Sequence, residues 1–130
     1  MLALRVAFVL TVVVIGCRRV PSPPPEAPPD VARRGVLQPF SATAYSIEGR
    51  TASGVQTRRG IVAADPRVLP LGSRIRVREA GAYDGEYVVR DTGPAIQGRE
   101  IDIYLPSDAE ARRFGRRAVR VEVLSRGDGR

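Results

Sequence analysis

Residues 91–104 read DTGPAIQGREIDIY, a turn sequence that runs directly into a strand of alternating apolar and polar residues. Glycine and proline mark the turn, because both residues interrupt regular secondary structure. The alternation predicts that Ile101 and Ile103 face the interior and that Asp102 lies on the opposite face of the strand. Aspartate is depleted in strands, so Asp102 belongs either to a solvated outer face or to a functional site.

The same period of two recurs on both sides of this segment and predicts further strands. The six predicted strands are residues 40–46, 60–64, 73–78, 86–90, 99–104 and 117–124. One helix is predicted at residues 107–114, with Ser107 and Glu110 as a capping box and Gly115 at its C-terminal end. The predicted fold class is therefore mainly β, a small six-stranded barrel with one short helix.

The composition excludes several classes of chemistry. The chain of 130 residues has 21 basic residues, all of them arginine, together with one cysteine and no histidine. The lack of histidine rules out Ser-His-Asp and Cys-His catalysis, and a single cysteine rules out an internal disulfide. We expect neither a cofactor nor a metal site, and an enzyme of this composition must use Asp or Glu as its acid and base.

The net charge of +7 raises the question of nucleic-acid binding. Much of this charge lies outside the predicted domain, since residues 40–124 contain 14 arginines against 11 acidic residues. The arginines are scattered, and only 4 Tyr and 3 Phe are available to stack on bases. We therefore expect no nucleic-acid partner.

The first 17 residues, MLALRVAFVLTVVVIGC, read as a targeting segment. Their apolar run is too short to span a bilayer, which takes about 20 apolar residues, and is typical of a signal peptide. Residues 14–17 resemble the bacterial lipobox, which predicts a lipoprotein signal peptide at residues 1–16 and a membrane anchor through lipidation of Cys17. Arg18 favours the periplasmic face of the outer membrane. An uncleaved anchor with an idle thiol is the alternative.

A proline-rich tether separates this segment from the domain. Residues 21–29, PSPPPEAPP, hold six of the eleven prolines, and proline favours extended polyproline II over helix or sheet. We expect the lipidated cysteine and its linker to occupy residues 17–38 as a disordered, extended tether. The barrel domain is then residues 39–125, and residues 126–130 form a tail.

Three aspartates of the predicted barrel stand out. Asp65 precedes a proline in a turn, Asp91 opens the turn after a strand, and Asp102 is in the middle of a strand. Each of them, taken alone, has an ordinary structural explanation as a turn residue or a solvated charge. Their order along the chain carries more information.

That order resembles the 3D domain family, which is named for three aspartates. Seven segments match the family pattern in order: residues 42–45, 51–54, 60–66, 69–72, 91–98, 101–104 and 114–117. The resemblance implies a double-psi β-barrel, like the C-terminal part of membrane-bound lytic transglycosylase A and of stationary-phase muralytic enzymes. It also implies that the partner of this protein is the glycan strand of peptidoglycan.

The resemblance assigns roles to particular residues of this chain. Asp102 matches the position of the catalytic acid, and Asp91 and Asp65 complete the catalytic set. Thr43 and Tyr45 match a motif that is expected to line the glycan groove.

Two positions depart from the family pattern, which commonly has glycine and lysine where this chain has Pro94 and Gln97. Pro94 stiffens the turn, and Gln97 removes a cation near the acids. Arg99 is a candidate for binding a lactyl or peptide carboxylate of the substrate, and an exposed strand charge is its alternative interpretation. The larger transglycosylases have a second domain that walls the groove, so we expect weaker glycan binding here or an envelope partner.

The expected function is that of a lytic transglycosylase, which cleaves the MurNAc–GlcNAc β-1,4 bond and leaves 1,6-anhydroMurNAc ends. A non-catalytic peptidoglycan-binding lipoprotein, expansin-like or rare-lipoprotein-A-like, is the main alternative. An aspartic protease is a weaker one, because residues 91–93 read Asp-Thr-Gly but Arg90 stands where that family has an apolar residue. A purely structural envelope lipoprotein is the third alternative.

Overall fold

The computed structural model describes residues 35–130. The predicted signal peptide, Cys17 and most of the proline-rich tether lie outside the described residues. Within residues 35–130, no helix combines the length and the apolar character that crossing a membrane requires. The predicted barrel and its tail fall within the described part of the chain.

Six strands and one α-helix form where the sequence patterns predict them, with boundaries that differ by at most two residues. The strands are β1 (Gln38–Tyr45), β2 (Ile61–Ala64), β3 (Arg74–Arg78), β4 (Gly85–Asp91), β5 (Glu100–Tyr104) and β6 (Arg117–Ser125). The helix α1 spans Asp108–Phe114, and a short 3-10 turn spans Gly81–Tyr83. The first strand begins at Gln38, one residue inside the predicted linker.

The strands close into a barrel in the order β1-β5-β2-β4-β3-β6. The β1·β5 and β2·β4 pairs are parallel, and the other four pairs are antiparallel. The pairing pattern is unchanged when β1 is exchanged with β4, β2 with β5 and β3 with β6. This exchange symmetry is that of a double-psi β-barrel, and the predicted fold class is confirmed.

Alternation along the strands separates a dry interior from an outer face. Ile101 and Ile103 of β5 and Val89 of β4 all have 0% exposure. They pack in a core that also includes Phe40, Ala42, Val62, Ile75, Val77, Val119 and Val121. Burying one such side chain contributes about 1.5–3 kcal/mol, so the interior holds the fold together and leaves the outer face free for function.

The helix α1 is held against the barrel by polar contacts of its first turn. Ser107 caps it, with Oγ accepting a hydrogen bond from the Glu110 backbone N–H at 3.4 Å. The Glu110 carboxylate instead accepts hydrogen bonds from the Arg59 guanidinium and the Tyr83 hydroxyl. Only half of the predicted capping box forms, because these barrel contacts compete for Glu110.

Gly115 ends the helix and directs two consecutive arginines to different places. Its φ of 64° is in the left-handed region, which favours glycine. Arg117 stacks on the Phe114 ring, 4.5 Å from its centroid, and donates to the Phe114 carbonyl. Arg116 projects instead over the outer face, where it donates to Ser41 Oγ at 3.0 Å.

The tail of residues 126–130 turns back against the loop that precedes β3. The Gly127 N–H donates to Ser73 Oγ at 2.9 Å, and the Gly129 N–H donates to the Leu71 carbonyl at 3.1 Å. A Cβ at position 127 would collide with the Leu71 carbonyl oxygen. Glycine is therefore required for this close approach of two backbones.

Candidate functional site

A cleft of about 220 Å³ lies on the outer face of the barrel. Ala63 forms its floor, Asp91 and Asp102 form its acidic walls, and Tyr45 lies at one side. An apolar wall comes from the loop of residues 93–96. The cleft therefore brings two carboxylates together beside an aromatic ring and an apolar loop, a combination that suits a sugar ring.

Asp102 lies on the outer face of β5, as the alternation predicts, because Ile101 and Ile103 on either side fill the core. The register sets Asp102 opposite Thr43 of β1 on one side and opposite Ala63 of β2 on the other. Thr43 Oγ1 donates to Asp102 Oδ1 at 2.9 Å. This hydrogen bond fixes the carboxyl group and leaves Oδ2 without a partner among the described residues.

A β-bulge turns Asp91 toward the same cleft. Val62 pairs with Val89, but the next residue, Ala63, pairs with Asp91, so the register skips Arg90. Simple alternation from the buried Val89 would point Asp91 into the interior, and the extra residue reverses that direction. The bulge therefore makes Asp91 the second acidic wall of the cleft.

Ala63 separates the two acids. It pairs with Asp102 on one side and with Asp91 on the other. The backbones of the two aspartates are thus two strand spacings apart, roughly 10 Å. Because the Ala63 side chain is a single methyl group, the space between the carboxylates stays open, and a larger side chain would fill it.

Burial raises the pKa of Asp102 above its ordinary value. The hydrogen bond from Thr43 and the Arg116 guanidinium lower this pKa, whereas the negative charges of Glu100 and Asp91 raise it further. A carboxyl group in such surroundings favours its neutral form. Asp102 is therefore suited to hold a proton.

Asp91 is oriented by backbone donors. Its Oδ1 accepts hydrogen bonds from the N–H groups of Ala52 and Thr92, each at 2.9 Å. These contacts join the loop of residues 51–54 to the end of β4 and use one oxygen only. The second oxygen is not used by these two backbone donors.

Tyr45 has a half-buried ring and a polar group that is left unpaired. Its hydroxyl is buried and makes no hydrogen bond with any described residue. Burial raises its pKa, and the nearby charges of Asp91 and Asp102 raise it further, so the hydroxyl stays protonated as a donor. The ring packs edge-on against Tyr104 with centroids 5.5 Å apart. The hydroxyl is therefore a protonated donor close to the two acids of the cleft.

Asp65 lies outside the cleft, and its side chain is only 3% exposed. Its Oδ1 accepts from the Arg67 Nε at 3.0 Å, and its Oδ2 accepts from Arg67 Nη2 at 2.7 Å and from the Gly98 N–H at 2.8 Å. Hydrogen bonding by Arg67, assisted by Gly98, holds the pKa of Asp65 well below its usual range. Asp65 thus anchors the far end of the loop of residues 92–98, which walls the cleft.

The loop accommodates both departures from the family pattern. Ile96 N–H donates to the Gly93 carbonyl at 3.0 Å, which sets Pro94 at the second position of a β-turn. Proline favours that position because its fixed φ matches the turn. Gln97 Nε2 then donates to the Pro94 carbonyl at 3.1 Å and closes the loop.

The structure brings four of the predicted site residues together: Thr43, Tyr45, Asp91 and Asp102. Asp65 and Arg99 lie apart from them. Arg99 is exposed, does not line the cleft, and its side chain makes no hydrogen bond or ion pair with any described residue.

Sequence reasoning missed Ala63, Ile96 and Arg116. Ala63 and Ile96 line the cleft, and Arg116 acts on Asp102 through its charge. Ala63 directly precedes Ala64 and Asp65 in a segment that matches the family. Its small side chain is the one feature of the sequence that could have indicated open space beside the acids. No local signal predicts where Arg116 lies, because its position depends on the turn at Gly115.

Two curated relatives come from Bacillus subtilis. The cell wall-binding protein YocH is 39% identical over 94 residues, which are 65% of this chain and 31% of YocH. YabE is 34% identical over 100 residues, which are 70% of this chain and 24% of YabE. The chain therefore spans a quarter to a third of the length of these relatives.

Among solved structures, the barrel is similar to the lytic transglycosylase MltA from Escherichia coli. The TM-score is 0.51 and the identity 27%, over 62% of this chain and 28% of MltA. The family model described as the 3D domain matches residues 60–125, which are half of the chain and contain Asp65, Asp91 and Asp102. The chain belongs to the 3D domain family.

Proposed function

We propose that this protein is a peptidoglycan lytic transglycosylase, which cleaves the β-1,4 bond between N-acetylmuramic acid and N-acetylglucosamine and leaves a 1,6-anhydro end. The observation that carries the proposal is the position of Asp102, which lines an open, sugar-sized cleft with one carboxyl oxygen held by Thr43. Burial at this place raises the pKa of Asp102, as a proton donor requires. The similarity of the barrel to MltA supports the same reaction class.

The reaction requires one catalytic carboxyl group rather than two. The 6-hydroxyl of the muramyl residue attacks its own anomeric carbon, so the nucleophile is part of the substrate and is already held close to the reacting carbon. Glycosidases that use water or a carboxylate nucleophile need a pair of carboxyl groups flanking the bond. A single group that first gives a proton and then takes one is sufficient here.

Asp102 is the residue for that role. With Oδ1 held by Thr43, Oδ2 carries the proton toward the glycosidic oxygen, and the C–O bond to the leaving sugar breaks as the proton transfers. The resulting carboxylate then receives the proton of the muramyl 6-hydroxyl as the anhydro ring closes. The group ends each turnover in its starting, protonated state.

Asp91 and Asp65 support this step in different ways. Asp91 lines the same cleft, and a carboxylate there stabilises the positive charge that develops at the anomeric carbon. Asp65 is proposed as a positioning residue, because it holds Gly98 and with it the loop that walls the cleft. Thr43 positions the acid, and the Tyr45 side chain lines one side of the cleft beside the sugar.

A non-catalytic peptidoglycan binder is the second candidate. The name of the relative YocH, a cell wall-binding protein, favours it, and so does the openness of a cleft formed by one barrel alone. Incubation with insoluble sacculi separates the two candidates. Co-sedimentation without soluble fragments supports the binder, whereas release of anhydromuropeptides supports the enzyme.

We also propose that the protein acts in the cell envelope, with Cys17 lipidated and the proline-rich tether holding the barrel away from the lipid surface. The proposal rests on the lipobox-like residues 14–17 and on the run of prolines at residues 21–29. Residue Arg18 after the cysteine favours the periplasmic face of the outer membrane. Peptidoglycan is within reach of a tethered domain at that place.

The first prediction concerns the acid itself. Asp102→Asn keeps the hydrogen bond to Thr43 but cannot donate a proton, so release of anhydromuropeptides should fall by about 100-fold or more. Mass spectrometry of digested sacculi measures the anhydro ends. Asp128→Asn, which removes an exposed charge from the tail, is the matched control and should retain activity. Full activity in Asp102→Asn would exclude Asp102 as the acid.

The second prediction concerns pH. Only protonated Asp102 is active, so kcat/KM should fall as pH rises through its pKa. Thr43→Val removes an influence that lowers this pKa and should move the fall to higher pH. Glu100→Gln removes a negative charge that raises it and should move the fall to lower pH. If the pH profiles of the three proteins coincide, a group other than Asp102 controls the rate.

The third prediction concerns Asp65. Its pKa is lower in the folded state than in the unfolded chain, so its stabilising effect is present above the unfolded value and is lost as pH falls toward the folded value. Asp65→Asn should therefore destabilise the protein at neutral pH by about 2 kcal/mol, the magnitude of a hydrogen bond to a charged group. The difference from wild type should shrink at acidic pH.

Thermal unfolding at pH 7 and at pH 3 measures this difference for Asp65→Asn. The control is again Asp128→Asn, which should match wild type at both pH values. A stability difference for Asp65→Asn that is the same at both values would show that its ion pair with Arg67 does not stabilise the fold.

A further inference from the structure

Arg116 is held on the outer face of the barrel, next to the proposed acid. Its Nη1 donates to Ser41 Oγ at 3.0 Å and to the Glu100 carboxylate. Ser41 and Glu100 are paired across β1 and β5, and the pair Thr43 and Asp102 follows two residues further along the same two strands. A step of two residues is roughly 7 Å along a strand.

The side chains of these pairs share one face, because residues two apart in a strand point the same way. Arg116 therefore lies about one pyranose ring away from Asp102, along the direction of β5. Its charge reaches the acid, since it lowers the pKa of Asp102. A ligand that spans this step would contact both groups.

Arg116 also has hydrogen-bond donors that the described residues do not use. Its side chain is 64% exposed, while that of Glu100 is 19% exposed. Only Nη1 takes part in hydrogen bonds with described residues, so Nε and Nη2 remain available on one edge of the guanidinium. That edge is the one that matches a carboxylate with two parallel hydrogen bonds.

Arg117, the next residue, differs from Arg116 in how its guanidinium is used. Arg117 donates through Nε to the Phe114 carbonyl and through Nη1 to the Ala80 carbonyl, and it stacks on the Phe114 ring. Two of its three guanidinium nitrogens and one face of the guanidinium are used within the fold. Of these two arginines, Arg116 alone combines a fixed position beside the cleft with free donors.

We propose that Arg116 binds a carboxylate of the glycan substrate and so selects muramyl glycans over neutral ones. The proposal rests on the proposed function, because it takes the cleft to be the glycan site. A muramyl residue bears a lactyl group, whose carboxylate is free in peptide-free strands. In peptide-bearing strands that carboxylate is an amide, and the stem peptide supplies carboxylates instead. A glycan made of N-acetylglucosamine alone has neither.

The role assigned to Arg116 replaces the one that the sequence suggested for Arg99. Both residues are exposed arginines that directly precede a strand, Arg99 before β5 and Arg116 before β6. Among the described residues, no hydrogen bond or ion pair holds the Arg99 side chain near Asp102. Arg99→Gln and Arg116→Gln change the net charge equally. The pair therefore separates a local contact from the general attraction between a basic protein and an acidic ligand.

Binding measured by titration calorimetry on the Asp102→Asn background tests the proposal without turnover. The probes are a peptide-free MurNAc–GlcNAc tetrasaccharide, the same glycan with stem peptides, and chitotetraose. Arg116→Gln should weaken binding of at least one of the two acidic glycans by about tenfold and leave chitotetraose binding within twofold, as expected for one lost charge-assisted contact. Arg99→Gln should leave the Kd of all three probes within twofold. Arg116→Lys should restore part of the loss.

The outcomes are distinct. Loss confined to the peptide-free glycan identifies the lactyl carboxylate, and loss confined to the peptide-bearing glycan identifies the stem; either supports the proposal. An equal loss for all three probes, no loss, or a loss in Arg99→Gln instead of Arg116→Gln overturns it. If the wild-type protein releases no anhydro product, the reaction fails, yet a charge-dependent loss in Arg116→Gln still supports Arg116 as the carboxylate-binding residue.

Discussion

The pairing of β2 with β4 skips Arg90, and the arrangement of the site depends on that bulge. In a regular strand, Asp91 would share the interior with Val89, where an unpaired carboxylate is strongly destabilising. The extra residue removes this cost and places the charge beside Ala63 on the outer face. The same local distortion thus protects the core and completes the pair of acids.

Much of the fold could be predicted from the sequence, because the signals are local. Period-two alternation, as in residues 101–103, separates core from surface, and glycine and proline mark the turns between strands. Asp102 could be assigned to the outer face from its two neighbours alone. The type of barrel came from the family resemblance. The order of its strands could not be predicted from the sequence, because the pairing of strands that are distant in the chain produces no periodic pattern.

The rest of the site depends on distant contacts. Asp65 has the sequence context of a turn aspartate, and its bond to Gly98 joins positions 33 residues apart. The choice between Arg99 and Arg116 depends on the left-handed turn at Gly115 and on the parallel register of β1 with β5. Alternation alone could not predict the face of the strand on which Asp91 lies. The β-bulge adds one residue and so reverses the direction of every side chain that follows it.

The exchange symmetry of the barrel has a consequence for how the chain acquires its structure. Every one of the six strand pairings joins β1, β2 or β3 to β4, β5 or β6, so neither half contains a sheet of its own. No partial barrel is available to a nascent chain that ends before β4, and closure waits for β6. Pairs such as Thr43 and Asp102 are 59 residues apart, a high contact order that slows folding. An emerging polypeptide of this kind cannot close its barrel until its last strand is free.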